Sequence, residues 1–241
     1  MTEGALKVLQ SSWRLWGRRR SRRALALRLA LGPAPVSREW GFDRGTPIDR
    51  FYIEGFLRRC SSDVKGRVLE VGDDAYTRRF GGGRVDRSDV LHLEEGNPLA
   101  TFVADLTNAG HLPSEAFDCI ILTQTLQFIY DVRAASGTLH RILRPGGTLL
   151  LTVPGVTRIN RGEWPGSWHW SFTTDSAARL FGETFGPGNV AVEGHGNVMA
   201  ACAFLYGLAC EDVRRSDLDR RDPEYQVIVA VRAVKGGGAA P

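Results

Sequence analysis

Four places in the 241-residue chain carry polar groups just after short apolar runs, and these could do chemistry. The first reads Glu70-Val71-Gly72-Asp73-Asp74, and the second ends on Asp89, 17 residues past Gly72. The third reads Ala104-Asp105-Leu106 and the fourth Thr123-Gln124-Thr125. A glycine straight after a strand lets the backbone pass close under a ligand, where a Cβ would intrude. An acidic residue at the end of the next strand can accept both hydroxyls of a ribose. Asp89 is the candidate, with Asp86 its competitor if the strand ends earlier. Asp73 and Asp74 would repel a pyrophosphate, which argues against NAD or a nucleotide polyphosphate and tolerates a cationic ligand. Further on, Arg161, Glu163, Trp164, Trp168, His169, Trp170 and Asp175 crowd one short stretch. His169, between two tryptophans, is the candidate general base, histidine being the side chain that titrates near neutral pH. The tryptophans can stack on a ring-shaped acceptor or simply pack. Arg44 and Arg50 are candidates to meet a carboxylate, though ion pairs within the protein would serve them equally.

Such residues need elements that hold them. From residue 40 short apolar runs alternate with helical stretches, which predicts a parallel sheet covered by helices. Strands are expected at 67–71, 84–90, 101–104, 119–122 and 148–153, then at 189–193 and 225–231. Helices are expected at 47–60, where Pro47 starts a helically spaced apolar set, at 132–143, and around 198–209. Arg144-Pro145-Gly146-Gly147 should stop the second of these and turn the chain back. Strands one to five at this spacing make an open doubly wound sheet, in which ligands bind at the carboxyl ends of the strands. All four polar segments fall there.

Residues 67–154 resemble the class I S-adenosylmethionine-dependent methyltransferases, specifically the small-molecule branch called methyltransferase type 11. The segments that carry the resemblance are VLEVG, ADL, FDCIILTQTLQFIYD and LHRILRPGGTLLLTVP, in order and at the right spacing. WGFDRGTPIDRFYIEGFL also resembles the lead-in of bacterial members linked to glycan biosynthesis. The resemblance implies a seven-stranded, mostly parallel, Rossmann-like α/β sheet and S-adenosylmethionine as cofactor. It implies that Glu70 orients the glycine loop near the methionine ammonium, and that Asp105 accepts from the adenine amine with the Leu106 amide facing the ring. Thr123 or Gln124 would offer a backbone carbonyl to the ammonium. Two departures stand out. The family loop is richer in glycine, and Phe128 occupies a position where related enzymes often carry histidine. The implied activity is methyl transfer to a small molecule, at a hydroxyl of a sugar, glycan precursor or secondary metabolite. A non-catalytic partner or scaffold with the same fold is the alternative, and a cyclisation on this fold a second one.

Charge is distributed unevenly. Residues 1–40 carry nine Lys or Arg against two Glu, whereas the remainder carries 22 basic and 25 acidic residues. The basic character therefore belongs to an extension, residues 1–39, ahead of a domain at 40–235 and a tail at 236–241. Leu6, Leu9, Trp13 and Trp16 fall on one face of a helix, and residues 5–29 could touch an anionic membrane surface. Pro33-Ala34-Pro35 reads as a linker. The apolar runs are too short to span a bilayer, and Arg28 interrupts what little resembles an export signal. The domain is acidic where a nucleic-acid groove would be basic, and the end of strand four lacks the N/D-P-P-Y/F signature, so no nucleic-acid partner is expected. Cys60, Cys119, Cys202 and Cys210 form no C-x-x-C pair, and neither they nor the histidines show metal-ligand spacing. They read as reduced, buried thiols of a cytoplasmic protein. The oligomeric state is not written in the sequence.

Overall fold

The computed structural model describes residues 32–162 and 165–237. The expected contact through residues 5–29 and the tail from residue 238 lie outside them, as do Glu163 and Trp164. Seven strands form one sheet: β1 (Gly66–Val71), β2 (Val85–His92), β3 (Phe102–Val103), β4 (Phe117–Thr123), β5 (Leu143–Pro154), β6 (Val190–His195) and β7 (Ile228–Val234). Their spatial order is β3-β2-β1-β4-β5-β7-β6. The first five run parallel, while β7 is antiparallel to both β5 and β6. This is the doubly wound arrangement expected from the alternation, with strand order reversing between β1 and β4.

Among the described residues six helices cover it: α1 (Ile48–Arg59), α2 (Ala75–Gly81), α3 (Val132–Ile142), α4 (Thr174–Phe185), α5 (Val198–Leu205) and α6 (Arg215–Asp219). Along β4 the side chains alternate between two cores. Ile120 and Leu122 join the cluster that holds Leu139 of α3 and Phe181 of α4. Cys119 and Ile121 join the cluster of Ile53 and Phe56 from α1 and Phe204 from α5. Both faces of the central strands are therefore buried, which is why FDCIILT reads as a nearly unbroken apolar run.

Side chains close the helix starts that the sequence leaves without partners. Asp131 accepts from the Ala134 amide, Thr173 from Ser176 and Asn197 from Ala200. After α3 the register jumps from Phe117 opposite Leu143 to Cys119 opposite Thr148. Arg144–Gly147 is thus looped out of the ladder, with Gly146 at φ +79°. Upstream of α1, the Val36 and Ser37 amides donate to the Tyr206 carbonyl, so the body's packing begins before residue 40. Of the four thiols Cys119 is buried, as expected, but Cys202 is exposed and Cys60 and Cys210 are half-buried. Among the described residues no helix is long and apolar enough to cross a membrane.

Candidate active site

The loop after β1 has its conformation set by Gly72 at φ +92°, a backbone state that side chains rarely adopt. A Cβ there would meet no atom within 4 Å, so open space lies over the loop. Glu70, 3% exposed, holds the start of α2. Its Oε2 accepts from the Thr77 amide and hydroxyl, both at 2.7 Å, and its Oε1 from the Tyr76 amide at 3.1 Å. Burial pushes the carboxyl up to about 7, against the pull of these bonds. Asp73 accepts from the Ala75 amide and Asp74 pairs with Arg78 at 2.9 Å, so both loop acids serve the turn and first helical residues. Asn97, beyond β2, donates through Nδ2 to the Gly72 carbonyl at 2.7 Å and ties the two loops together.

Asp89 is not at the carboxyl end of its strand. β2 continues to His92, and the Gly72 amide bonds to the Leu91 carbonyl. The Asp89 side chain is fully buried between Arg67 at 2.7 Å and Arg87 at 3.0 Å. Burial alone would raise its pKa, but the bonds and charges of Arg67 and then Arg87 outweigh this and hold it below the usual carboxylate range. Its bonding capacity is spent inside the protein, which corrects the expectation of a ribose partner. Asp86 sits farther back still, in the same strand. The first carboxylates past the strand end are Glu94 and Glu95, both exposed. Asp105 stands where the sequence put it, just past β3. It is exposed, with Oδ1 accepting from the Thr107 amide at 2.8 Å, and Leu106 beside it is buried.

Thr123 and Gln124 end β4 and line a cavity of about 190 Å³. Its other walls come from α1 (Asp49, Arg50), the segment before it (Trp40, Phe42), and Gln127, Phe128, Pro154 and Trp168. Two of the three non-glycine residues at positive φ among the described residues belong here, Trp40 at 52° and Gln124 at 50°; such backbone strain clusters at functional sites. Several buried polar atoms around the cavity have no protein partner: Gln124 Nε2, Gln127 Oε1 and Trp168 Nε1. A buried polar group without a bond costs about 1–3 kcal/mol, so these three residues carry an unmet demand close to the cavity they line. Phe128 meets Trp168 edge-on at 5.1 Å, and the Arg158 guanidinium lies 4.1 Å over the Trp40 ring.

The two arginines part company. Arg50 reaches across to the Tyr76 hydroxyl at 2.9 Å, which joins α1 to the start of α2 beside the glycine loop. Arg44 instead makes two 2.8 Å bonds to Asp212, whose carboxyl this holds down to about 2. That pairing corrects the expectation that Arg44 is free to meet a ligand carboxylate. His169 is also displaced. Its amide bonds to the Gln127 carbonyl at 2.9 Å, but its ring is exposed and sits edge-on to Tyr130, and it does not line the cavity. Trp168, its neighbour, does. The acid that lines it is Asp49, which sequence reasoning missed. The Asp49 Oδ1 accepts from the Arg50 amide at 2.7 Å, and burial pushes its pKa above the usual carboxylate value. The signal was available: Asp49 precedes Arg50, already a candidate, in a helix otherwise apolar on its core face.

The residues present suit a ligand with cationic centres. The glycine cradle is open, and its surrounding carboxylates would oppose a polyphosphate and favour a sulfonium or ammonium. Residues 84–151 match a family model described as a methyltransferase domain. Among solved structures the chain is similar to the 4+2 cyclase SpnF, at 16% identity over 81% of this chain and 84% of that one, with a TM-score of 0.51. It is similar to phosphoethanolamine N-methyltransferase 2 of Haemonchus contortus in complex with S-adenosyl-L-methionine. There the identity is 16%, the coverage 77% of this chain and 52% of that one, and the TM-score 0.50. A SAM-dependent methyltransferase of Archaeoglobus fulgidus is similar at 12% identity, over 77% and 94% of the two chains, with a TM-score of 0.52. At these identities the likeness is one of fold. No curated protein matches the sequence.

Proposed function

We propose, from the match of residues 84–151 to a methyltransferase domain, that the chain is a class I S-adenosylmethionine-dependent methyltransferase and that it methylates a hydroxyl of a small molecule, a sugar, glycan precursor or secondary metabolite. The observation that carries this reading is the double position of Thr123 and Gln124. By resemblance to the family they would offer carbonyls to the methionine ammonium, and they line the aromatic cavity. When bound, S-adenosylmethionine supplies an activated methyl carbon open to in-line attack. Gly72 leaves room for it, and Glu70 fixes the loop by bonding to Tyr76 and Thr77. The Thr123 and Gln124 carbonyls each accept one bond within the protein and retain a second lone pair for an ammonium. Arg50 is the cation for the methionine carboxylate, and Asp105 with the Leu106 amide recognises adenine. With Asp89 committed to arginines, the ribose hydroxyls fall to Glu94 or Glu95.

Calorimetric titration with S-adenosylhomocysteine tests the cofactor half of this reading. Wild-type protein should bind in the micromolar range. Asp105→Ala should weaken binding roughly tenfold, the loss of one charge-assisted hydrogen bond, with the melting temperature unchanged. A folded wild-type protein that does not bind would overturn the reading.

A further inference from the structure

We propose that residues 24–31, just upstream of the described structure, dock on the outward face of α5. The inference concerns a surface apart from the cavity and stands whether or not the chain transfers methyl groups. α5 reads VMAACAFL and has no charged or hydrogen-bonding polar side chain. Its inner residues Ala200, Ala201, Ala203 and Phe204 are buried in the core shared with α1. Its outward positions are apolar as well. Val198, Met199 and Leu205 are 42%, 47% and 41% exposed, and Cys202 among them is exposed too. Their spacing puts all four on one side of the helix. A helix that is apolar all round belongs inside a protein, yet this side stays exposed among the described residues.

The point where the described chain starts selects the occupant. Gly32 is its first residue, and the Gly32 carbonyl accepts from the hydroxyl of Tyr206, the residue that follows α5, at 3.0 Å. The Val36 and Ser37 amides both donate to the Tyr206 carbonyl. Segment 24–31 is therefore tethered at the end of α5. It reads Ala24-Leu25-Ala26-Leu27-Arg28-Leu29-Ala30-Leu31, with one charge in eight residues. Its reach suffices in any conformation. α5 is about 12 Å long, and eight upstream residues span about 12 Å as a helix and about 26 Å when extended. The short tether also gives the segment a high effective concentration over the face.

Two other occupants fit less well. A stable interface with a second copy takes about 20–30 residues a side, and the outward face of α5 offers four. An anionic lipid surface draws helices that flank their apolar face with Lys or Arg, and α5 has neither. Val36, 48% exposed beside Tyr206, continues the apolar face toward the attachment point. Docking has a consequence for the site. The stretch 33–46 carries Trp40 and Phe42, two walls of the cavity, and its far end is held where Pro47 bridges to Ala209. With 24–31 seated on α5, that stretch is held at both ends.

Cys202 reports on the docking, because it lies within the face. The full chain is treated with N-ethylmaleimide, and modification at each cysteine is followed by peptide mass spectrometry, with buried Cys119 as the marker of intact folding. Thiol reactions depend on access. Cys202 should react at least about tenfold more slowly in wild type than in a variant carrying Leu25→Ser, Leu27→Ser, Leu29→Ser and Leu31→Ser together. Under mild oxidation, at least one of the single variants Leu25→Cys, Leu27→Cys, Leu29→Cys and Leu31→Cys should form a disulfide to Cys202 within one molecule. If the serine variant exposes Cys119, this crosslink alone decides. Equal Cys202 rates in two folded proteins, or no crosslink from any position, would overturn the proposal. Crosslinks formed only between molecules would overturn it in favour of a second copy. Protection of Cys202 that appears only with vesicles of phosphatidylglycerol and phosphatidylcholine would overturn it in favour of an anionic lipid surface.

Discussion

Two regions of this sheet bury polar side chains, and they do so in opposite ways. Between β1 and β2 the Asp89 carboxylate receives bonds from Arg67 and Arg87, and the Arg67 guanidinium also lies 4.8 Å over the Phe117 ring. Every charge there has its partner. At the ends of β4 and β5 the glutamines and Trp168 keep unmet donors and acceptors around a cavity. Residue type and strand position alone do not mark a ligand site, because a carboxylate at a strand end can be spent on its neighbours as Asp89 is.

The largest effect that could break this comparison belongs to Asp89. Asp89→Ala would leave Arg67 and Arg87 without their carboxylate, and removing one member of a buried pair costs about 3–5 kcal/mol. Arg67 is partly exposed, so urea denaturation should show a loss of about 3 kcal/mol. S-adenosylhomocysteine affinity of the folded protein should stay within threefold. Weaker binding at unchanged stability would make this region part of the site and erase the contrast.

Glu70 sharpens it, because it sits between the two regimes: fully bonded, yet raised to about 7 by burial. Its pKa when unfolded is near 4.5. Between these values the folded chain holds the proton and the unfolded chain has lost it, so its contribution is complete below about 4.5 and fades as pH rises through 7. That is about 3 kcal/mol across the window. Urea midpoints measured from pH 4 to 8 should fall more steeply for wild type than for Glu70→Gln. The smallest effect is expected at Arg44. Its two bonds to Asp212 are at the surface, where ion pairs contribute little. Arg44→Ala should lower the melting temperature by at most about 2 °C and leave cofactor affinity alone.

The central strands and α3 were readable because burial on both faces leaves an apolar run too dense to mistake. The same logic failed at β2. VDRSDVLH is polar because its outer neighbour β3 has only two residues, so half the strand lacks cover, and the true end at His92 was set two residues too early. Pairing Asp89 with Arg67 depends on register: Leu69 lies opposite Asp89, and Arg67 opposite Arg87. No periodicity within one segment contains that fact. Helices α2 and α4 went unpredicted. The first is seven residues long and ends in a run of glycines. The second starts on a Thr173–Ser176 capping box without the Glu or Gln that usually signals one. Of the proposed site, Gly72, Glu70, Asp105, Thr123 and Gln124 were findable from strand ends. The cavity was not, because it arises where α1 meets the ends of β4 and β5, and Asp49 was passed over although it precedes Arg50.

The position of β7 has a consequence for how the protein is made. It is the last strand among the described residues, yet it lies inside the sheet, hydrogen-bonded to β5 on one side and β6 on the other. During synthesis β5 therefore waits with one bare edge and β6 with no partner at all, until Ile228–Val234 has cleared the ribosome. Exposed edges invite pairing with other chains. The nascent protein is most vulnerable to aggregation in that interval, after β4 and β5 have paired and before the final strand slots between its neighbours.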